Sequence, residues 1–438
     1  MKNASDRLAR VSALRAPRRS STAKRGYATN LPEGAARLAE LLAASPATTK
    51  YGEHLSLRRW FAEPSGCDAP LDGLSVLAPG APKEAFDIEN WLFLDTETTG
   101  MAGGTGTYAF LVGVAWWEAG GLQVEQFFMR DFSEEHSVLV ALAERMASRR
   151  VLVTFNGKTF DWPLLETRYR MTRAISPRSP SMHLDLLHPA RRLWRMRLGS
   201  ARLQDLERHI LGWDRGVDVM SELIPQIYFE YVRGGSADPL VPVFRHNQMD
   251  LQGLAALSQR MLNLLAAPEA SGGDPRDLYG LSRLFEQRGE AARARQLCER
   301  ALAEGLPEEI SRVAKRGLAM LAKREADFPR ATALWEDLRA DSHGGIEDAL
   351  EASVQLAIYL EHRAARPQHA ADVTCEALKK LRRATRSGSI DTVRGRRLEA
   401  AFQHRLKRLK RKLDSCSGSL LEAKVAGSFA APGESNRG

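Results

Sequence analysis

Three short runs carry acids and a histidine of the types that can bind a divalent cation or move a proton. The first run is Phe93-Leu94-Asp95-Thr96-Glu97-Thr98-Thr99-Gly100. In an extended strand, residues two apart point to one face, about 6.5–7 Å apart along the chain. Asp95 and Glu97 therefore present two carboxylates side by side. Like charges so placed repel unless a cation lies between them, and hard oxygen ligands suit Mg²⁺ or Mn²⁺. A bare Asp-x-Glu reads equally well as solvated acids. Here an apolar run precedes it and a turn follows, as at the end of a buried strand.

The second run is Phe155-Asn156-Gly157-Lys158-Thr159-Phe160-Asp161-Trp162-Pro163-Leu164-Leu165. A strand ends at Phe155, and a helix starts around Asp161-Trp162-Pro163, with Pro at a favoured early position. Taken alone, Asp161 reads as an N-cap and Asn156 as a turn residue. Lys158 either pairs with a phosphate or only neutralises the local acids. In the third run, His246 and Asp250 are four apart and share one face of a helix. A general base beside a metal-binding carboxylate needs that geometry, although an ordinary polar helix face has it too. Between the second and third runs, His183 and Asp185 read as a satisfied structural pair. Arg191, Arg192, Arg195 and Arg197, interleaved with Trp194, fit phosphate contact and base stacking as well as they fit a snorkelling helix surface.

The elements that must hold these residues are legible as periodicity. Trp91–Asp95, Tyr108–Trp117, Leu122–Arg130 and Val151–Phe155 read as strands, and Glu134–Arg149 as a helix with Leu139, Leu142 and Met146 on one face. A strand meander followed by helix, strand and helix predicts an α/β fold, a mixed sheet flanked by helices. Upstream, 1–50 reads as a basic, largely disordered tail with a short amphipathic helix at Ala36–Ala44, and 51–85 as an irregular connection. The sheet domain is assigned to 86–268. From 269 to 385 helix hairpins follow, in which Ala294, Ala331 and Ala371 hold equivalent places at separations of 37 and 40. Such spacing resembles tetratricopeptide-like (TPR-like) repeats, which bury their faces by stacking. The last segment, 386–438, reads as a basic helix over Arg394–Leu413 and a disordered tail after Ser415.

The chain has 438 residues, 44% of them hydrophobic, and a net charge of +9. The charge fits a polyanionic partner without singling one out. No apolar run approaches the ~20 residues of a bilayer crossing. The cysteines Cys67, Cys298, Cys375 and Cys416 form no CxxC pair, which fits a reducing compartment. The basic N-terminal tail has a transit-peptide-like composition, but the simpler reading is a soluble cytoplasmic protein without a membrane partner.

Order and spacing of the runs change the odds. FLDTETTG with the following GGTGTYAFLVG, then FNGKTFDWPLL, then HNQMDLQGL resemble the DEDD 3′–5′ exonuclease superfamily, and within it the YprB-like ribonuclease H-like group. The resemblance covers about Glu89–Leu265, under half the chain. It implies an RNase H-like fold in which Asp95, Glu97, Asp161 and Asp250 bind two divalent metals, Mg²⁺ or Mn²⁺. His246 stands where the superfamily places its general base. A His base usually lies five residues before the last Asp and a Tyr base four; here a His stands at the Tyr spacing. Thr98, Asn156 and Lys158 are the expected substrate contacts, on DNA or RNA. The repeats would serve as a platform for substrate or a protein partner. Two readings compete with the exonuclease: a structure-selective endonuclease on the same fold, and a silent nucleic-acid-binding or TPR scaffold. Retention of all four acids argues against the scaffold.

Overall fold

The computed structural model describes residues 33–62, 70–100, 104–118, 120–177, 179–270, 273–341 and 345–427, with side chains described as far as Asp414. Helix α1 (Glu33–Leu42) leads into strands β1 (Ser45–Thr49) and β2 (Gly52–Ala62). Then come β3 (Trp91–Thr98), β4 (Ala109–Glu118), β5 (Gly121–Phe128), helix α2 (Glu135–Ser148), β6 (Val151–Thr154), α3 (Asp161–Thr172), β7 (Met182–Asp185) and α4 (Leu187–Leu198). After an irregular stretch, α5 (Ile224–Val232) and the long α6 (Leu240–Ala266) complete the sheet's cover. The seven strands form one mixed sheet in the order β1-β2-β5-β4-β3-β6-β7. The pairs on the β1 side of β3 are antiparallel, while β6 and β7 run parallel to β3.

β3 and β4 are apolar on both faces because both faces are covered. Alternation sends Trp91 and Phe93 into the core beneath α4 and α6, and Leu92 and Leu94 into the core shared with α2 and α3. By the same alternation Asp95 and Glu97 leave the sheet on the Trp91/Phe93 side, facing α6. The central strand thus carries the first two acids to the place where the long helix passes.

Two upstream expectations need correction. In residues 33–62, read as the end of a tail and the start of an irregular connection, the helix expected at Ala36–Ala44 is present as Glu33–Leu42, but two unexpected strands follow it. β2 pairs along its length with β5, from Leu55 opposite Phe128 to Ala62 opposite Gly121. The sequence Gly52–Ala62 mixes charged and apolar residues without clean alternation, since only Leu55 and Leu57 among its large apolar side chains are deeply buried. Its strand state comes from pairing. The expected transit-like segment, Cys67 and the far C-terminus lie outside the described residues.

The helical region consists of α7 (Pro275–Gln287), α8 (Ala291–Ala303), α9 (Glu308–Arg324), α10 (Phe328–Ala340), α11 (Ile346–His362), α12 (Pro367–Arg386) and α13 (Thr392–Gly427). Successive helices pack on one another, and α7 also lies on α4. Gly280 makes that contact close: a Cβ there would stand 2.6 Å from the carbonyl oxygen of Leu193. One apolar core runs from Trp91 and Phe93 through Leu193 and Trp194 to Leu278, Phe285 and Leu297. The first hairpin is therefore continuous with the sheet's core. Ala294 and Ala331 are buried at their helix crossings as expected, but Ala370, not Ala371, is the fully buried residue of the third. The backbone helix α13 continues past Leu413, where the sequence reading ends it, and through the tail read as disordered after Ser415 to Gly427; the Leu, Glu, Ala and Lys residues of that stretch are good helix formers. No described helix is long and apolar enough to cross a membrane.

Candidate metal centre

Asp95 sits on β3 directly opposite Gly113 of β4. A Cβ on Gly113 would lie 2.1 Å from Asn247 Oδ1 and 2.8 Å from Leu251 Cδ1, so glycine is what lets α6 come down onto the sheet here. The close approach brings Asn247 over Asp95, where Asn247 Nδ2 donates to Asp95 Oδ2 at 2.7 Å. The orientation of that amide is set from behind. Gln126 Nε2 of β5 donates to Asn247 Oδ1 at 2.7 Å and to the Phe244 carbonyl at 3.0 Å, while Gln248 Nε2 donates to Gln126 Oε1 at 2.7 Å. Gln126 and Asn247 are fully buried, and such polar groups persist in a core only when paired. Asn247 is a positioning residue inside the third run that the sequence reading passed over; its place next to His246 was the available signal.

The second run is built around Asp185, at the end of β7. Its carboxylate accepts from the backbone N–H of Asn156 (2.8 Å), Lys158 (3.1 Å) and Leu187 (3.0 Å). His183 Nε2 lies 2.8 Å from Thr154 Oγ1, and burial pushes its pKa down to about 4. The pair is structural, as expected, and it shapes the loop that delivers Asp161. In that loop Asn156 adopts φ +69°, a left-handed conformation that Asn tolerates better than most residues. A Cβ on Gly157 would meet the Thr154 side chain at 2.5 Å. Asp161 is not an N-cap. It is the first residue of α3, with Phe160 in the cap position making no side-chain cap bond. Its carboxylate instead turns to β3, where Thr96 Oγ1 donates to Asp161 Oδ1 at 2.5 Å.

α6 supplies the third run. His246 and Asp250 share one face, with Nε2 to Oδ2 at 3.5 Å, and His246 Nε2 is 4.0 Å from Glu97 Oε1. Glu97, His246 and Asp250 each offer a ligand atom, all within 4.8 Å of one another. The remaining partners come from the segment between α4 and α5, whose short helical turns span Leu203–Leu206 and Glu207–Leu211. His246 Nδ1 is 2.8 Å from Asp218 Oδ2. Arg215 donates from Nη2 to Asp250 Oδ1 at 2.5 Å and from Nη1 to Asp218 Oδ2 at 3.3 Å, and it forms a bidentate pair with buried Glu207. Glu207, Arg215 and Asp218 carry no readable spacing and were absent from the sequence-based site; only folding brings them to it.

The electrostatics are those of a site short of positive charge. Burial holds Asp95 well above the usual carboxylate range, reinforced by Asp250, Glu97 and Asp161 and opposed by the Asn247 hydrogen bond. Glu97 is pushed up to about 8, first by burial, with His246 opposing and Asp250 and Asp161 adding. Asp161 rises to about 6, through burial against the Thr96 hydrogen bond. For His246, burial pulls downward, but Asp250, Glu97 and Asp218 outweigh it and raise the pKa. Carboxylates that cannot all ionise together, with an imidazole among them, form a donor set that fits a divalent cation.

Of the expected substrate contacts, Lys158 is exposed, Asn156 is held by its backbone in the Asp185 loop, and Thr98 Oγ1 donates to the Gly100 carbonyl at 2.9 Å. The β3–β4 register shifts between Glu97 and Thr98. Trp194 is not a stacking platform: it is 1% exposed and packs in the main core. Arg197 of the same cluster pairs with Asp277 of α7 at 2.7 Å, while Arg191, Arg192 and Arg195 are exposed.

Comparison with known proteins agrees with this fold. A family model described as RNase_H superfamily matches residues 92–262, the span from β3 to near the end of α6. The uncharacterized protein YprB of Bacillus subtilis (strain 168) is 32% identical over 284 residues, which cover 64% of this chain and 67% of that protein. With the mixed sheet, the acids on its central strand and the histidine-bearing helix across it, the chain belongs to the RNase H superfamily, in the group of YprB.

Proposed function

We propose that this protein is a divalent-metal-dependent nuclease, a 3′–5′ exonuclease of the DEDD type that hydrolyses phosphodiester bonds of DNA or RNA. The observation that carries the reading is the convergence of Glu97, His246 and Asp250 within 4.8 Å, beside Asp95 and Asp161, whose pKa values burial above all raises. Asp95, Glu97, Asp161 and Asp250 would hold two Mg²⁺ or Mn²⁺ ions, with Thr98, Asn156 and Lys158 at the substrate. Bound there, the cations would supply activation of water and stabilisation of the leaving oxygen.

The chain's own residues account for the proton and the geometry. His246 Nε2 accepts the proton of the attacking water as the water oxygen bonds to phosphorus and the bond to the leaving 3′-oxygen breaks. Asp218 accepts from Nδ1–H, which leaves Nε2 free as the base and stabilises the imidazolium that results. Arg215 fixes Asp250 by Oδ1, so that Oδ2 stays turned toward His246. Asn247 holds Asp95 in the same way. The helical region we read as TPR-like, a platform for substrate or for a protein partner.

The test is digestion of end-labelled single-stranded DNA and RNA with Mg²⁺, Mn²⁺ or EDTA, beside an Asp95→Ala, Asp250→Ala double variant. Metal-dependent laddering from the 3′ end, lost in the variant, is expected. Internal cuts would move the reading to an endonuclease. No cleavage of either polymer under any metal would sink it.

A further inference from the structure

Positive charge is concentrated at the far end of the helical region, away from the metal centre. Between residues 379 and 414 there are fourteen Lys and Arg against three acids, a net of +11 where the entire chain carries +9. Some of it is internal. Arg405 and Arg408 clamp buried Glu361 of α11, Arg382 pairs with Glu399 at 2.8 Å, and Arg394 pairs with Glu347 at 2.7 Å. Beyond these pairs the other cations are exposed, among them six that carry the argument: Lys379, Arg383 and Arg386 on α12, with Arg397, Lys407 and Arg411 on α13. Among the described residues none of the six takes part in an ion pair.

The set lies on the outward sides of two helices that pack on each other. α13 lies along α12, and a Cβ on Gly395 would stand 2.6 Å from Thr385 Oγ1, so glycine sets a close crossing. The apolar stripe of α13 is already used: Phe402 and Leu409 are buried against α11 and α12. Arg397, Lys407 and Arg411 lie on the opposite face. From Arg397 to Arg411 the helix rises about 21 Å, the reach of roughly six phosphates of one strand.

We propose that the outward cations of α12 and α13 form a sequence-independent binding surface for a nucleic-acid backbone, separate from the candidate metal centre. Charge complementarity decides the class of partner. An anionic membrane surface would be met by an exposed apolar stripe beside the cations, whereas Val393 is the one large apolar side chain exposed on these helices among the described residues. Guanidinium and ammonium groups spaced along a rigid helix and not paired with acids match a phosphate ladder, and release of its counterions drives the association.

The experiment is fluorescence anisotropy of a labelled 20-base-pair duplex and a 20-nucleotide single strand with the full chain in EDTA, from 50 to 200 mM KCl. Because no cleavage is involved, the outcome is independent of the nuclease reading. A variant with Lys379, Arg383, Arg386, Arg397, Lys407 and Arg411 all changed to Gln should bind at least tenfold more weakly at 100 mM KCl. Its slope of log affinity against log salt should be shallower by about 4–5. A second variant with the four Arg changed to Lys, which keeps the charge, should hold affinity and slope close to wild type. A smaller variant, R397Q/K407Q/R411Q, gives an intermediate slope and serves if the larger one loses helicity. Unchanged affinity and slope in the neutralised variants would overturn the proposal. So would binding to phosphatidylserine vesicles at the same salt without binding to either oligonucleotide.

Discussion

His246 on α6 and Asp218 in the loop before α5 meet at 2.8 Å, Nδ1 to Oδ2, across 28 residues of chain. The contact orients the imidazole of the candidate metal centre, and its Nε2 then faces Glu97 and Asp250. Asp218→Asn keeps the volume and removes the charge. Under the proposed mechanism kcat should fall by about tenfold to a hundredfold with KM little changed. The acid limb of the rate profile should move to lower pH, because Asp218 is one of the charges that raise the His246 pKa. A variant with a wild-type pH profile would remove Asp218 from its positioning role.

Gly113 is where the helix and the sheet come closest. Gly113→Ala places a methyl 2.1 Å from Asn247 Oδ1, and α6 must shift or Asn247 must leave Asp95. Urea unfolding should show a loss of roughly 1–3 kcal/mol from overpacking. Metal affinity should fall with it, since Asp95 loses the donor that fixes it. A stable variant with normal metal binding would show that α6 has freedom the packing does not suggest.

Repulsion among the acids makes a stability prediction that can be read without any activity. In EDTA, Asp95→Asn should raise the melting temperature by a few degrees, because the site no longer holds a carboxyl that burial first, and then its acid neighbours, keep from ionising on folding. Wild type should gain stability on adding Mg²⁺ or Mn²⁺ by linkage, and the variant should gain much less. Equal stabilisation of both by metal would place the cation elsewhere.

Acid should destabilise the sheet domain through two histidines held in neutral form, His54 buried and His183 half-buried. His54 and His183 are each lowered to about 4, by burial first. The unfolded chain binds protons below about pH 6.5 while the folded chain does not until about pH 4, so stability falls as pH drops through that window. His54 is 1% exposed and bonded to Ser137, and its share should be of the order of 1–3 kcal/mol. Comparing wild type with His54→Gln by urea unfolding at pH 7 and pH 5 tests this. Equal losses in both proteins would clear His54.

The shared core predicts that the sheet does not stand alone. α7 covers Leu193 and Trp194 on α4, and Arg288 Nε donates to the Val76 carbonyl at 2.6 Å. A chain ended after Ala270 should lose cooperative unfolding or solubility, while one ended after Gly305, which keeps the first hairpin, should be better folded. Cooperative unfolding of the shorter chain at wild-type stability would make the junction a simple linker.

Local pattern sufficed for much of this protein. Strand periodicity placed Asp95 and Glu97 side by side, helical spacing placed His246 four residues from Asp250, and the apolar runs marked β3 to β6. These follow from sequence because side-chain direction repeats within one element. The elements near the N-terminus were not legible: β2 has no clean alternation, and it is a strand because β5 offers it a ladder. Nor was the ring of partners around the acids. Asp218, Arg215, Asn247 and Gln126 act across separations of 28, 35, 152 and 121 residues, which no local period encodes. Trp194 shows the converse, since an aromatic among arginines suggested a surface for bases and the arrival of α7 made it core. The chemistry was written in residue types within single elements; which side chains orient, bury and charge that chemistry was decided only when distant elements packed.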